Sequence, residues 1–334
     1  MKTRQLGIHG PHVSAIGVGA LSFSNFYGTA EDKGSHKVLD AALDLGINHI
    51  DTSNVYGNGR SERVIGSFLS KQGKLKDQLF TIASKVGICR NAETAQRYFD
   101  NTEGHIRDQL NKSLERLGVE AIDLYYIHRR DEKIPIEDVA GTMGKLITEG
   151  KIKSFGFSEI APSSLKLAQS EGHVAAVQSE YSLSTRNPEM GLTQLTKTSG
   201  TALVAFSPVG RSLLTDNPHT EERILDMDFL KENPRFIEPN LSRNVGITNN
   251  FRKLADEFNI SASGLAIAWL LHQGDNIIPI PGTRTVKHLE ELAEGARRNL
   301  SKEELVLIEE TLPIGWAHGN RYSLSQSKAV EQYC

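Results

Sequence analysis

The sequence predicts an α/β fold, a closed (β/α)8 TIM barrel, and two features of the chain carry this prediction. Short apolar segments without strict polar alternation recur about eight times, which is typical of parallel strands covered on both faces. Segments with apolar residues at helical spacing lie between them. Repeated alternation of strand and helix indicates a parallel sheet, and eight units is the number that closes a barrel. An open, doubly wound sheet is the alternative fold.

Eight segments of four to six residues are the candidate barrel strands. Along the chain they are 15–19, 47–50, 79–83, 122–127, 154–157, 175–178, 201–206 and 276–280. The clearest helical segments are 36–45, 102–117, 139–149 and 286–298. The first three are followed directly by Gly46, Gly118 and Gly150, and glycine is a common residue at the end of a helix.

Additions to the plain barrel are expected at three places. Residues 3–6 and 13–15 flank the turn signal His9-Gly10-Pro11-His12, so a short N-terminal β-hairpin is predicted. The segment 212–244 has few periodic apolar residues and three prolines, which predicts a long loop that acts as a lid or binding loop. Extra helices are expected near the C terminus. Because no linker or low-complexity block divides the chain, we interpret 1–334 as a single domain.

Composition excludes several classes of protein. Hydrophobic residues make up 38% and charged residues 24% of the 334 residues, a globular rather than a disordered or fibrous balance. The net charge of -3 indicates no surface for nucleic acid. No run approaches the about 18 apolar residues of a membrane span, and the first residues, MKTRQLGIHG, contain no secretory signal. Cys89 and Cys334 are expected to form neither a disulfide nor a metal site. A cytoplasmic protein without membrane partners is therefore expected.

Four ionisable side chains follow three neighbouring candidate strands. Asp51 follows the segment 47–50 and Tyr56 comes five residues later, Lys85 follows 79–83, and His128 follows 122–127. In a barrel these strand ends converge on one mouth, where the chemistry of such folds takes place. Each residue alone has a simpler explanation, such as a helix cap, a solvated lysine, a framework histidine or a packed turn. All four together form a more specific pattern.

The four side chains suit the protonation of a carbonyl oxygen. A free tyrosine has a pKa of about 10 and is a poor acid near neutrality. The ammonium of Lys85 favours the phenolate and lowers the pKa of Tyr56, and the carboxylate of Asp51 keeps that ammonium in place. His128 donates a hydrogen bond that orients the carbonyl oxygen. Because the set contains no electron source, a reduction needs a bound hydride donor.

The sequence resembles the aldo-keto reductase superfamily almost from end to end. The segments that carry the resemblance are T-R-Q-L-G near the start, D-T-S-N-V-Y-G-N-G-R-S-E at 51–62, S-K-V-G at 84–87, D-L-Y-Y-I-H at 123–128, E-G-K-I-K-S-F-G-F-S at 149–158, Q-S-E-Y-S-L at 178–183, F-S-P-V-G-R at 206–211 and I-P-G-T-R at 280–284. The segments H-R-R-D at 128–131, G-F-S-E at 156–159 and N-L-S-R-N at 240–244 are most similar to the branch that contains the pyridoxal reductases and perakine reductase.

The resemblance implies a catalytic tetrad and a cofactor. By resemblance Tyr56 is the proton donor, Lys85 lowers its pKa, Asp51 pairs with Lys85, and His128 positions the substrate carbonyl. The family binds NADPH/NADP+ in extended form without a Rossmann fold. In agreement, the sequence has no G-x-G-x-x-G at a strand–helix turn. No metal is implied.

The cofactor-binding residues are also carried over from the family. Ser158 and Gln178 match the residues that hold the nicotinamide carboxamide, and Phe206 matches the aromatic residue that stacks on the nicotinamide, although a core aromatic is its simpler explanation. The loop around the pyrophosphate comprises Ser207, Val209, Gly210 and Arg211. The adenosine end comprises Gly282, Thr283, Arg284, His288 and Glu291. An arginine opposite a 2′-phosphate favours NADPH over NADH, and a solvated cation is the alternative for Arg284.

Departures from the family and the substrate loops complete the prediction. Glu159 replaces a common asparagine, so its carboxylate either holds the carboxamide differently or turns away, and Leu292 replaces an asparagine that contacts adenine. Ser53 replaces an alanine, a change expected to have no effect. The substrate pocket is expected to include Phe26, Tyr27 and Arg129; a surface ion pair with Asp131 or Glu132 is the alternative for Arg129.

The sequence therefore predicts an NADPH-dependent reductase of aldehydes, with ketones as a second class of small-molecule carbonyl substrate. Two alternatives remain open at this point. Lys85 at a strand end is also the position of a Schiff-base lysine in a lyase. A nucleotide-binding sensor or regulatory subunit is the other alternative, because some members of the superfamily serve ion channels.

Overall fold

Eight parallel strands form the centre of the chain in a computed structural model that describes residues 1–73, 76–91, 93–94 and 96–333. In chain order the barrel strands are Val18–Gly19, His49–Asp51, Thr81–Val86, Leu124–Ile127, Phe155–Ser158, Ala176–Glu180, Ala202–Phe206 and Ile277–Pro279. Neighbours in this order pair in parallel. The first and last strands are joined by backbone hydrogen bonds from Gly17 to Pro279 (2.8 Å) and from Gly19 to Pro281 (2.9 Å). The predicted (β/α)8 barrel is confirmed.

Each predicted strand coincides with an observed one within a few residues. The difference between predicted and observed strands that matters most for the site is in the third barrel strand. It runs from Thr81 to Val86 and therefore contains Lys85. Asp51 likewise is the last residue of its strand. Both side chains are thus held by the sheet rather than by a loop, which gives them more precise positions.

Helices surround the barrel and shield its outer face. Their bounds are Asp32–Asp44, Arg60–Ser70, Lys76–Leu79, Glu103–Leu117, Ile136–Thr148, Pro162–Ala168, Leu192–Ser199, Glu221–Leu225, Asn240–Glu257, Ala262–His272, Val286–Arg297 and Lys302–Thr311. The helix Glu103–Leu117 shows why they form. The Thr102 hydroxyl accepts from an amide of the first turn, Gly118 ends the helix in the left-handed conformation, and Ile106 and Leu110 are buried on its inner face.

Two small antiparallel hairpins accompany the barrel. Thr3–Gln5 pairs with His12–Ser14 as predicted, and the adjacent Leu6 packs with the inward-facing barrel residues. The second hairpin pairs Ile88–Arg90 with Arg97–Phe99 and was not predicted. Each of its two strands has only three residues, and one of the three is an arginine. Such short strands show no hydrophobic periodicity.

The segment 212–244 is partly helical and differs in this respect from the predicted long loop. It contains the helix Glu221–Leu225 and the 3-10 turn Pro234–Phe236, and from Asn240 onward it belongs to a long helix. Pro234 begins its turn and Pro239 directly precedes the long helix. At these positions a proline costs no hydrogen bond, so the prolines mark the starts of helices rather than an uninterrupted loop.

The chain after the last barrel helix adds one further helix, Lys302–Thr311, capped by Ser301 and Glu304. The remaining residues return across the carboxyl ends of the strands. There the Glu331 amide donates to the Glu159 carbonyl at 3.0 Å, and Tyr333 Oη lies 3.4 Å from Ser179 Oγ. This C-terminal segment therefore forms part of the barrel mouth.

Two observations bear on the remaining sequence-based expectations. Cys89 is buried and free, whereas Cys334 lies outside the residues that the structure describes. Across those described residues, no helix combines the length and apolar character needed to cross a membrane.

Candidate active site

The four predicted catalytic residues lie together at the mouth of the barrel. Asp51, Lys85 and His128 come from three adjacent strands or the residues directly after them. Tyr56 lies on the loop between Asp51 and the helix Arg60–Ser70. The ring of Tyr56 meets that of His128 edge-on, with centroids 5.8 Å apart.

Lys85 is the centre of this group and has no exposed surface. Its ammonium forms an ion pair with Asp51, donates to the Thr52 carbonyl at 2.8 Å, and donates to the Tyr56 hydroxyl at 3.3 Å. The other carboxylate oxygen of Asp51 accepts from Gln178 Nε2 at 2.7 Å. The ammonium is thus fixed in place with one donor directed at the phenol.

Burial and charge set the protonation of this group. Burial raises the pKa of the Tyr56 phenol above its ordinary value, and the Lys85 charge offsets only part of that rise. Burial alone lowers the pKa of Lys85, but Asp51 and Tyr56 raise it above its ordinary value. The effect of Lys85 on the pKa of Tyr56 is downward as expected, but the larger effect of burial, which the sequence did not reveal, makes the net shift upward. At neutral pH the phenol is protonated and the amine is charged.

His128 is neutral at the same mouth. Burial lowers the pKa of its imidazole well below the ordinary value, and the charges of Lys85, Arg129 and Arg97 add to this effect. Its Nδ1 lies 3.2 Å from the buried Ser53 Oγ. Ser53, expected from sequence to have no effect, therefore contacts a member of the tetrad.

A cavity of about 930 Å³ opens in front of these side chains. Nearly all residues predicted to bind cofactor or substrate line it, namely Phe26, Tyr27, Arg129, Ser158, Gln178, Phe206, Ser207, Val209, Arg211, Gly282, Thr283, Arg284, His288 and Glu291. Asp51, Tyr56 and His128 line it as well. Lys85 and Gly210 do not belong to the lining. Lys85 lies behind Tyr56, and the Gly210 amide is used in a hydrogen bond to the Ser207 carbonyl at 3.0 Å.

The loop after the strand Ala202–Phe206 has an unusual backbone. Ser207, Arg211 and Ser212 adopt the left-handed conformation with φ of 50°, 55° and 94°, which is costly for residues other than glycine and concentrates at functional sites. Its shape is held by hydrogen bonds such as that from the His219 amide to Ser212 Oγ at 3.0 Å.

The guanidinium of Arg211 is engaged in an ion pair that the sequence did not reveal. It donates to buried Glu180 at 2.7 Å, and it lies 4.7 Å from the Phe229 ring centroid and 5.1 Å from that of Tyr322. Burial raises the pKa of Glu180, but Arg211 and two further arginines reverse this and bring it to about 2. Arg211 therefore shapes the cavity wall as part of a buried ion-pair network.

Glu159 belongs to the same network and turns away from the cavity. Its backbone is left-handed, with φ of 58°, which explains why an asparagine also suits this position. One carboxylate oxygen accepts from Arg321 at 2.6 Å and the other from the Glu180 amide at 2.9 Å. Leu292, the other departure, is buried and lines the cavity.

The far end of the cavity carries two arginines. Arg284 precedes the helix Val286–Arg297 and Arg223 lies on the short helix Glu221–Leu225; both line the cavity. Burial lowers the pKa of Arg284, and the charge of Arg223 adds to this effect. Sequence reasoning missed Arg223, since its helix falls in the segment predicted as loop. An amphipathic five-residue helix gives too few residues for periodicity to reveal it.

Four aromatic side chains line the cavity near the tetrad. Phe26 packs on Tyr27 and Phe229, with ring centroids 4.9 and 5.4 Å apart, and Phe229 packs on Tyr322. Phe26 and Tyr27 were predicted, whereas the other two lie in irregular segments that carry no motif. Arg129 is buried and donates to the His128 carbonyl at 2.8 Å, so the surface ion pair with Asp131 or Glu132 is absent from the contacts of the described residues.

Comparison with solved structures supports this architecture. Glycerol dehydrogenase AKR11B4 from Gluconobacter oxydans superposes with a TM-score of 0.81 at 27% identity, over 93% of this chain and 94% of that one. The holo form of aldo-keto reductase AKR11C1 from Bacillus halodurans superposes with a TM-score of 0.78 at 24% identity, over 98% of this chain and 99% of that one. The second likeness bears on the fold alone.

Sequence comparison identifies the family. Aldo-keto reductase yakc of Schizosaccharomyces pombe, whose name includes NADP(+), is 35% identical over 96% of this chain and 94% of its own. A probable aldo-keto reductase 1 of Glycine max is 34% identical over 95% and 91%, and aldo-keto reductase str7 of Strobilurus tenacellus is 36% identical over 88% and 86%. The aldo/keto reductase family model matches residues 15–313. With a match that spans most of its length, the chain belongs to the aldo/keto reductase family.

Proposed function

We propose that the protein is an NADPH-dependent reductase that converts aldehydes, and ketones as a second class, to alcohols with Tyr56 as the proton donor. The observation that carries the proposal is the contact of the buried Lys85 ammonium with the Tyr56 hydroxyl at the wall of a large cavity. The cofactor in the name of the fission-yeast relative supports NADP(H). The segments around His128, Glu159 and Asn240 support a place near the pyridoxal and perakine reductases.

The residues of the cavity fit an extended dinucleotide. One cavity joins the tetrad to the start of the helix Val286–Arg297, and a helix N-terminus favours phosphate. At that end Arg284 and Arg223 have no carboxylate partner among the ion pairs of the described residues, so their charges are available to a 2′-phosphate. Ser207 and Val209 are the residues for the pyrophosphate.

Near the tetrad, side-chain atoms remain free for a carboxamide. Gln178 uses Nε2 for Asp51, which leaves its amide oxygen as an acceptor. Ser158 Oγ receives a hydrogen bond from Arg129 at 3.3 Å, which leaves its hydroxyl proton as a donor. The partly exposed Phe206 ring supplies the stacking surface. When bound, NADPH supplies the hydride that reaches the carbonyl carbon.

The proton comes from the protein. Tyr56 is protonated in the free protein because its pKa is raised by burial, so it has a proton to give to the carbonyl oxygen. The phenolate that remains is stabilised by the Lys85 ammonium 3.3 Å away. Asp51 keeps this ammonium charged. If Ser53 Oγ, 3.2 Å from His128 Nδ1, is the donor of that contact, neutral His128 presents Nε2–H to the same carbonyl oxygen.

The geometry disfavours the alternative of a Schiff-base lyase. A nucleophilic lysine has to be neutral, whereas Asp51 and Tyr56 raise the pKa of Lys85 and hold it charged. Lys85 Nζ also lies behind Tyr56, outside the cavity lining. The complete tetrad, with Lys85 in contact with Tyr56, favours catalysis over a role as sensor or regulatory subunit.

Turnover with a panel of carbonyl compounds tests the proposal. NADPH oxidation is followed at 340 nm in spectrophotometric assays with nitrobenzaldehyde, pyridoxal, methylglyoxal and a steroid ketone, and the alcohol product is identified by chromatography. We expect NADPH oxidation with stoichiometric alcohol for at least one aldehyde. Tight NADPH binding without turnover of any of them would instead favour the sensor, and borohydride trapping of a substrate on Lys85 would favour the lyase.

A further inference from the structure

Three arginines at the catalytic end of the cavity have no acidic partner among the residues that the structure describes. Arg90, Arg97 and Arg129 line the same cavity as Tyr56 and His128, and none of them occurs in an ion pair among the described residues. Other arginines around the mouth are neutralised. Arg130 pairs with Glu331 at 2.7 Å, Arg211 with Glu180, and Arg321 with Glu159.

Arg129 is the most constrained of the three. Only 8% of it is exposed, and its Nη1 donates to the His128 carbonyl and to Ser158 Oγ. Its Nε is buried without a hydrogen-bond partner among the described atoms. A buried cation without a counter-charge is costly, so this side chain suits an anion that arrives from outside the protein.

Arg97 lies on the second hairpin, which the sequence did not predict, and lines the cavity. Its Nη2 donates to the carbonyls of Ser325 and Gln326 at 3.0 and 3.2 Å, which tie the C-terminal segment to the hairpin. The ladder places Arg97 directly opposite Arg90, an arrangement of like charges that destabilises an antiparallel pair. Burial lowers the pKa of Arg97, and the charges of Arg129 and Arg90 add to this effect; Arg97 and Arg129 line the same cavity.

The acidic residues that line the cavity either lie away from these arginines or already have a partner. Those in the lining are Asp51, Asp216 and Glu291. Asp51 pairs with Lys85. Asp216 accepts from the Ala262 amide, and Glu291 lies on the helix at the adenosine end. The catalytic end is therefore cationic, with apolar aromatic rings beside it.

We infer that this end of the cavity binds a carbonyl substrate that carries a carboxylate, with Arg97 and Arg129 as its anion-binding pair. This inference rests on the proposed reductase function and names its substrate class. A guanidinium donates two parallel hydrogen bonds to a carboxylate. The pyrophosphate of the cofactor is assigned to the loop after a different strand, which leaves these two arginines for the substrate.

The test compares 4-carboxybenzaldehyde with methyl 4-formylbenzoate, which has the same ring and aldehyde but no charge. We expect the wild-type protein to have the higher kcat/KM for the acid. Arg97→Leu and Arg129→Leu are expected to lower the acid-to-ester ratio by about ten-fold or more, the size of one charge-assisted hydrogen bond. Arg130→Leu is the matched control, because Arg130 pairs with Glu331 outside the lining, and it should leave the ratio unchanged.

A binding measurement separates this inference from the proposed function. In calorimetric titrations with NADP+ present, benzoate should bind more tightly than benzamide to the wild-type protein, and Arg97→Leu should remove the difference. If the protein reduces neither aldehyde but shows this binding pattern, the reductase proposal fails and the anion site stands. If the kcat/KM for the ester equals that for the acid, or if benzoate binds Arg97→Leu as tightly as the wild-type protein, the anion site is overturned and the reductase stands.

Discussion

Lys85 Nζ lies 3.3 Å from the hydroxyl oxygen of Tyr56 and donates a hydrogen bond to it. The ammonium is completely buried and held by Asp51. A hydrogen bond from a charged donor is stronger when the acceptor is itself charged. The hydrogen bond is therefore strongest when Tyr56 has lost its proton. This stabilises the phenolate that remains after Tyr56 releases its proton in the reaction.

Removing the hydroxyl of Tyr56 tests its role directly. Tyr56→Phe keeps the ring that packs edge-on against His128 and removes the proton. We expect kcat for aldehyde reduction to fall by roughly 10²- to 10⁴-fold, the usual contribution of a general acid. The dissociation constant of NADPH, measured by fluorescence titration, should stay within about two-fold because the ring is kept and only the hydroxyl is lost. A variant that keeps a tenth or more of the wild-type kcat would show that another group supplies the proton.

The pH dependence of the rate tests the contact between Lys85 and Tyr56. Burial raises the pKa of Tyr56 and Lys85 lowers it, so Lys85→Met should raise this pKa further. Reduction needs the protonated phenol, and activity is therefore lost as pH rises through the pKa of Tyr56. We expect the alkaline limb of kcat/KM to move to higher pH in Lys85→Met, with a lower plateau. Lys145→Met, at an exposed ion pair, serves as the control; an alkaline limb that does not move would rule out the coupling.

The positions of the tetrad residues could be predicted from sequence because of the geometry of a parallel barrel. Asp51 and Lys85 lie at the carboxyl ends of apolar strands, and these ends meet at one mouth. The alternation of short apolar segments with helical segments also predicted the barrel itself, and the turn signal at residues 9–12 predicted the N-terminal hairpin. These features depend on local pattern and chain order, which a single sequence contains.

Other parts of the site depend on contacts between distant segments. Arg211 pairs with Glu180, and Arg321 from the C-terminal segment joins them; no spacing in the sequence indicates that these residues meet. Arg97 and Arg223 lie on elements of three and five residues, too short for periodicity to reveal. Sequence reasoning therefore did not reveal the network around Glu180, and it missed two arginines that line the cavity.

Ser53 provides a further test, since it is a departure from the family that contacts His128. Its Oγ lies 3.2 Å from Nδ1, and with Ser53 as donor the imidazole proton is fixed on Nε2. Ser53→Ala removes this bond, so we expect kcat/KM to fall by about three- to ten-fold, the value of one neutral hydrogen bond. The affinity for NADPH should not change. Ser67→Ala, on the outer helix Arg60–Ser70, is the control, and equal effects of the two changes would assign Ser53 no role at His128.

Cofactor selectivity tests the two arginines at the adenosine end. Arg284→Ala and Arg223→Ala each remove one cation that faces the expected 2′-phosphate. We expect each to raise the dissociation constant of NADPH by about ten-fold or more and that of NADH by much less. Arg297→Ala, at the opposite end of the helix Val286–Arg297, should change neither value. Equal losses for both cofactors would mean that these arginines shape the cavity without meeting a 2′-phosphate.

The buried network around Glu180 predicts a specific dependence of stability on pH. Its three arginine neighbours hold the pKa of Glu180 at about 2, below the ordinary value of 4.5. A carboxylate with a lowered pKa in the folded protein stabilises it above pH ~4.5, and this contribution is lost as pH falls toward 2.

Urea unfolding of Glu180→Gln measures this contribution. At pH 7 we expect the free energy of unfolding to fall by about 3 kcal/mol or more, because the change leaves buried Arg211 without its counter-charge. The difference from wild type should shrink as the pH approaches 2, since the wild-type carboxyl then becomes neutral too. Glu149→Gln, at an exposed ion pair with Arg107, should have a much smaller effect. A difference between Glu180→Gln and wild type that stays constant over this pH range would show that the charge of Glu180 does not stabilise the barrel mouth.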